Sequence, residues 1–188
     1  TFFLPPDSLR YRVAPTERDT IWNLRRARPL VHDPNAALLG GVAGHAGLFS
    51  TSGDILRLMS MVMSGGRFNG KALLTPEIVW LFTKRDTVQR KRALGWDMKS
   101  PGAHSSAGKY LSLQTFGHLG FTGTSVWLDP TRSVCIVFLT NRVYPNSRNK
   151  KIRAVRPALH NAVIESLEPH ANIDTTLTLP DSTHTGSH

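Results

Sequence analysis

The amino-acid sequence predicts an α+β fold in which helices flank an antiparallel sheet. Three observations predict it. Two helix starts, at Thr51 and at Thr75-Pro76-Glu77, come before any long β-rich run. Two β-rich runs, residues 124–128 and 133–140, then flank Asp129-Pro130-Thr131-Arg132, which reads as a hairpin turn. A last apolar-periodic stretch, about residues 155–167, closes the order with a helix. Helices and strands in that order pack as layers around one core. The 188 residues, 40% of them hydrophobic, suffice for one domain.

Residues 1–35 are rich in Pro and Arg and lack sustained periodicity, so they read as an extended segment wrapping a domain built by other residues. Residues 36–50 hold four glycines and four alanines and read as a close-packed loop. Thr51 is an N-cap with Asp54 three residues on, and Ile55, Leu58, Met59 and Val62 recur at helical spacing until Gly65-Gly66. Met59, Met61 and Met63 read as core filler. The second helix starts with Pro76 at its first position and Glu77 in its first turn, and carries Ile78, Val79, Leu81 and Phe82. Ala93-Leu94-Gly95-Trp96 reads as a short strand, residues 102–108 as a small-residue loop, and residues 110–116 as the start of a further strand. Residues 1–167 are expected to form the domain and residues 168–188, rich in Thr, Ser, Pro and His, a flexible tail.

Composition excludes several functions. No run of eighteen apolar residues exists, so no membrane span is expected, and no secretory signal opens the chain. One cysteine, Cys135, rules out an internal disulfide and a thiolate metal cage; inside Val134-Cys135-Ile136-Val137-Phe138 it reads as a buried strand residue. The net charge of +10 invites a nucleic-acid reading. However, the basic residues fall in separate short clusters without interleaved aromatics, so no nucleic-acid partner is expected. The eight histidines show no zinc-ligand spacing, and neither metal nor cofactor is expected. His32 and Asp33 are adjacent and would point apart in an extended chain, which argues against a catalytic pair.

The densest candidate for chemistry is Phe116-Gly117-His118-Leu119-Gly120-Phe121-Thr122-Gly123-Thr124. Glycines let backbone N–H groups approach a ligand, and an imidazole beside them can contact it. On its own this pattern is also compatible with an ordinary strand edge.

The stretch resembles the third motif of the serine β-lactamase and penicillin-binding-protein family, where Lys-Thr-Gly, or His-x-Gly in the esterase and peptidase branches, lies on a strand facing the nucleophilic serine. His118-Leu119-Gly120 stands in that place. Gly44-His45-Ala46-Gly47-Leu48-Phe49-Ser50-Thr51 resembles the family's glycine-rich loop before a helix, and Trp127-Leu128-Asp129-Pro130 with the run ending Leu139-Thr140-Asn141-Arg142 resembles the hairpin after the motif. The resemblance covers about residues 4–167. It implies a β-lactamase/DD-peptidase-like α+β fold, here incomplete, with the N-terminal part that carries the nucleophile helix missing or supplied by a second chain. It implies a bacterial protein of the periplasm or exterior. The implied activity is acyl transfer by a serine hydrolase on an ester, β-lactam or D-amino-acid peptide carbonyl, from a small-molecule or peptide substrate. In this reading His118 hydrogen-bonds the substrate or tunes the serine, and Gly120 permits close approach. The backbone N–H of Phe121 is half of an oxyanion hole. Thr122 contacts the substrate, because Leu119 stands where many relatives have Thr, and His45 lies at the rim or packs in its loop.

The family also needs Ser-x-x-Lys on a helix and a Tyr-x-Asn motif upstream. Ser106-Ala107-Gly108-Lys109 and Tyr144-Pro145-Asn146 have the letters, but the first falls in a Gly/Ser loop and the second after the third motif. Both read as chance spellings, so the chain alone is expected to be inactive. The alternative is a non-catalytic module of the same fold that binds a peptide or cell-wall ligand.

Overall fold

A computed structural model of the chain describes residues 7–17, 31–88, 91–101 and 104–167. The expected tail, residues 168–188, and much of the Pro/Arg-rich start lie outside the described residues. After a 3-10 helix at Asp7–Arg12 come α1 (Pro34–Leu38), α2 (Ser52–Met63), β1 (Arg67–Phe68), β2 (Lys71–Ala72), α3 (Pro76–Thr83), β3 (Arg92–Ala93), β4 (Trp96–Met98), β5 (Phe116–Leu119), β6 (Ser125–Asp129), β7 (Val134–Phe138) and α4 (Ile152–Leu167). The fold is α+β, as expected.

Strands β3 to β7 form one antiparallel sheet in chain order. Alternation along the strands sends side chains to opposite faces. On one face Trp127, Ile136, Ala107 and Leu111 pack with Ile164 of α4. On the other, Phe116, Leu128 and Met98 pack with Met59 of α2, and Ile55, Val62 and Met63 close around them. The sheet is thus sandwiched between α2 and α4, and the methionines of α2 are core, as expected. Trp127 and Leu128 are fully buried; each side chain of this kind contributes about 2 kcal/mol.

The helix starts obey their sequence signals. The Thr51 hydroxyl accepts from the Asp54 N–H at 3.2 Å, and Thr75 caps α3 in the same way at 3.4 Å. Three boundaries differ from expectation. Residues 93–96 form two short strands around a Leu94-Gly95 turn, with Ala93 opposite Trp96, rather than one strand. The strand expected to begin near Tyr110 starts at Phe116, because residues 110–115 fold back to bond Asp129: the Ser112 N–H and hydroxyl both reach its carboxylate at 2.7 Å. The loop expected over residues 36–50 opens with α1, whose N-terminal N–H at Ala36 is capped by Asp33. Among the described residues no helix is long and apolar enough to cross a membrane.

Candidate active-site strand

The candidate motif occupies the end of β5 and the turn into β6. Gly117 faces the α4 side beneath Trp127. A Cβ there would lie 2.1 Å from the Val126 carbonyl oxygen and 2.6 Å from the indole ring, so only glycine fits. β4 pairs with β5 no further than Gly117, leaving His118 and Leu119 paired to β6 alone, opposite Val126 and Ser125. His118 is exposed, and its Nδ1 lies 3.0 Å from the Leu119 carbonyl oxygen. With Nδ1–H donating to that oxygen, Nε2 is the free acceptor.

The turn from Gly120 to Thr124 is bound on one side of its backbone. The Gly120 N–H donates to the Thr124 carbonyl at 2.8 Å and the Gly123 N–H to the Gly120 carbonyl at 3.2 Å. Arg156 of α4 places Nη2 2.6 Å from both the Gly120 and the Thr124 carbonyl oxygens. Arg142 donates from Nε to the Phe121 carbonyl at 2.6 Å, and its backbone N–H donates to the Thr122 carbonyl at 2.9 Å. The Thr140 hydroxyl takes the Gly123 carbonyl at 2.7 Å. All five carbonyls are therefore accepted partners. Among the described residues no acceptor takes the N–H of Phe121 or Thr122. A Cβ at Gly120 would meet the Thr124 hydroxyl at 2.0 Å, so a side chain there requires the Thr124 side chain to turn away.

Phe121 projects outward, and two side chains contact its ring. Its ring stacks on His32 with centroids 5.3 Å apart, and the Arg142 guanidinium sits 4.1 Å from the centroid. His32 in turn lies 2.8 Å from Glu17, whose other oxygen accepts from the Ser147 N–H at 2.8 Å. Burial raises the Glu17 pKa, but the bonds from His32 and Ser147 outweigh it and the carboxyl stays below its ordinary range. Asn141 anchors the same strap through the Pro15 carbonyl at 2.7 Å.

Among the candidate residues, the structure brings His118, Gly120, Phe121 and Thr122 together on one strand end. His45 sits in the turn between Ala43 and Ala46, half-exposed, with Nε2 2.9 Å from Asp33, the neighbour of the His32 that stacks on Phe121. The Ala36 N–H and then His45 hold the Asp33 pKa down. His32 and Asp33 thus serve different partners, as their adjacency suggested. Ser106 and Lys109 lie in a turn, not on a helix; the Ser106 carbonyl accepts from His160 at 3.1 Å, and Lys109 Nζ lies over the Tyr110 ring. Tyr144 and Asn146 lie in the loop before α4. Ser147-Arg148-Asn149-Lys150 also spells Ser-x-x-Lys, again in that loop. Cys135, on the α2 side of β7, has its thiol pushed up to about 11 by burial. No three His, Cys, Asp or Glu gather to hold a metal among the described residues.

Sequence reasoning missed the two arginines that grip the turn. Arg142 ends an apolar strand run and Arg156 precedes a proline in a helix, and neither context distinguishes them from solvated charges. Arg156 is nonetheless buried, and burial, then the nearby charge of Arg142, lower its pKa.

A family model described as Beta-lactamase matches residues 1–160. A protein of Salmonella agona that carries the provisional name D-alanyl-D-alanine carboxypeptidase is 34% identical over 157 residues, covering 80% of this chain and 36% of the relative. One of the same name from Escherichia coli O157:H7 is 40% identical over 114 residues, covering 60% of this chain and 26% of the relative. The chain thus spans about a third of the length of these relatives. A solved β-lactamase structure from Mycobacterium bovis superposes with a TM-score of 0.53 at 20% identity, covering 71% of this chain and 47% of that one, a likeness of fold.

Proposed function

The chain belongs to the beta-lactamase family, and on that premise we propose that it forms the electrophile-binding wall of a serine hydrolase that works by acyl transfer. The observation that carries the reading is the Gly120–Thr124 turn, with five carbonyls engaged and the Phe121 and Thr122 N–H groups without an acceptor among the described residues. An oxyanion forming on an attacked carbonyl is stabilised by such pre-placed donors, each worth about 3 kcal/mol of barrier. In this proposal the Phe121 N–H is one donor. His118, exposed beside it, contacts the substrate or the attacking serine through Nε2, and Gly120 permits close approach. Thr122 contributes a substrate hydrogen bond; His45, committed to Asp33, belongs to the rim at most. The attacking serine lies outside residues 106–109 and 147–150, because neither spelling stands on a helix that would bring lysine beside serine. The relatives' printed names favour a peptide ending in D-alanyl-D-alanine as the carbonyl donor, ahead of an ester or a β-lactam, in a bacterium.

The test titrates the purified chain with a D-Ala-D-Ala peptide, nitrocefin and a nitrophenyl ester, following backbone amide resonances and turnover. The expected result is a shift of the His118 to Thr122 amides without hydrolysis. Turnover that disappears in Ser106→Ala would overturn the assignment of the serine, and unmoved amides with all three compounds would overturn the wall itself. Binding of a cell-wall peptide that stays unhydrolysed even in a longer form carrying Ser-x-x-Lys on a helix would favour a non-catalytic binding module.

A further inference from the structure

We propose that Arg142 and Arg156 are positioning residues that aim the Phe121 and Thr122 N–H groups by gripping the opposite ends of their peptide units. The inference rests on the reading of that turn as a binding wall. In a trans peptide the C=O of one residue and the N–H of the next point in opposite directions across a rigid plane. Fixing the Gly120 carbonyl therefore fixes the Phe121 N–H, and fixing the Phe121 carbonyl fixes the Thr122 N–H. Arg156 holds the first carbonyl at 2.6 Å and Arg142 the second at 2.6 Å.

The surroundings of the two guanidiniums distinguish this role from ordinary ion pairing. Neither forms a salt bridge among the described residues. Arg156 spends Nη2 on the Gly120 and Thr124 carbonyls, closing both ends of the turn, while its buried Nε has no partner among the described residues. Arg142 binds the Phe121 carbonyl with Nε and the Ser147 and Asn149 carbonyls with Nη1, at 2.7 and 3.1 Å, so its own loop braces it. The same guanidinium lies against the Phe121 ring, which locks side chain and backbone of that residue together. A buried cation is costly unless hydrogen bonds offset its lost hydration, and the bonds Arg156 makes go to the two ends of the turn. Charge-assisted bonds are also the stronger kind, suited to resisting a peptide flip.

The test is 15N relaxation on the whole chain, without substrate. In the wild type the Phe121 and Thr122 amides are expected to show order parameters of about 0.85, like the strand amides at Val126 to Leu128. In Arg156→Met and Arg142→Met they are expected to fall below about 0.6 at the turn while the strand amides stay unchanged. Arg156→Lys, which keeps the charge on a stem about one bond shorter, is expected to restore part of the order. A role confined to general stability would loosen strand and turn alike and would not be rescued by lysine. If Arg156→Met fails to fold, Arg142→Met, altered in a surface loop, carries the test. Turn amides that stay as ordered as the strand in Arg142→Met overturn the proposal. Because no substrate is present, that failure is separate from a failure of the wall to bind a carbonyl compound.

Discussion

His160 is fully buried between α4 and the sheet, with Nδ1 3.1 Å from the Ser106 carbonyl and Nε2 3.4 Å from the Ser125 hydroxyl. Burial, with the charge of Arg156 adding to it, lowers its pKa to about 4 from 6.5, against the raising effect of the Ser106 carbonyl. Above pH 6.5 neither folded nor unfolded chain protonates this ring, and no stability is at stake. Between pH 6.5 and about 4 the unfolded chain takes a proton that the folded chain refuses, so stability falls as pH falls. Each pH unit in that window is worth up to about 1.4 kcal/mol, so the loss reaches about 2–3 kcal/mol at pH 4.5. The perturbation is His160→Gln, which keeps a donor and an acceptor but cannot titrate. Urea denaturation followed by tryptophan fluorescence, from pH 7 to pH 4.5, measures both proteins. At pH 7 the variant should be less stable by about 2 kcal/mol, through imperfect bonds to Ser106 and Ser125. By pH 4.5 that deficit should vanish or reverse. Glu17, Asp33 and Asp129 titrate lower and alike in both proteins, so they cancel in the difference. Parallel stability profiles for the two proteins would refute the assignment of a neutral, proton-refusing His160.

Other expectations follow from single contacts. Gly117→Ala should cost about 3 kcal/mol in urea denaturation, because its Cβ collides with the Val126 carbonyl and the Trp127 ring; a loss under about 1 kcal/mol would contradict that packing. Asp129→Asn should cost about 2–3 kcal/mol at pH 7, since the buried carboxylate accepts from Ser112, Thr131 and Arg132. Those bonds outweigh the burial that raises its pKa, so the carboxyl is held below the ordinary range. The wild-type advantage should shrink as acid protonates Asp129, and a deficit that stays constant down to pH 3 would count against it. Cys135 should react with an aromatic disulfide at pH 8 about 100-fold more slowly in the folded chain than in urea, its thiol having been pushed up to about 11; equal rates would show that the strand opens readily.

How much of this was legible in sequence depended on the range of the interaction. Thr51, Pro76 and the Asp129-Pro130 turn act through neighbours within a few residues, and their elements formed where those residues said. The Asn69-Gly70 pair between β1 and β2 carried the same kind of local signal for a hairpin, with Asn69 at φ 47°, yet its strands are so short that no alternating pattern flanks it. The candidate strand was visible because His118, Gly120 and Phe121 are contiguous. What fixes its geometry was not visible: Arg142 and Arg156 reach the turn from 21 and 36 residues away. Glu17 reaches Ser147 across 130. Nothing in residues 140–156 marks one arginine of several as the one folded inward, because that choice is made by which carbonyls happen to lie beneath it. The shift of the strand start from Tyr110 to Phe116 has the same origin, since the carboxylate that captures Ser112 lies 17 residues ahead.

The docking of α4 has a further consequence. The helix buries Arg156, His160 and Ile164, four residues apart on a single stripe, and two of the three are polar. A purely greasy stripe would tolerate sliding by a turn, because one methyl group fits nearly where another did. Here a slip of one turn would carry the guanidinium to the hydroxyl of Ser125 and strand the carbonyls of Gly120 and Thr124, while the imidazole would land among Ile164's apolar neighbours. The helix therefore behaves like a cut key that seats at one depth only, and that depth also fixes where Arg156 meets the Gly120 and Thr124 carbonyls.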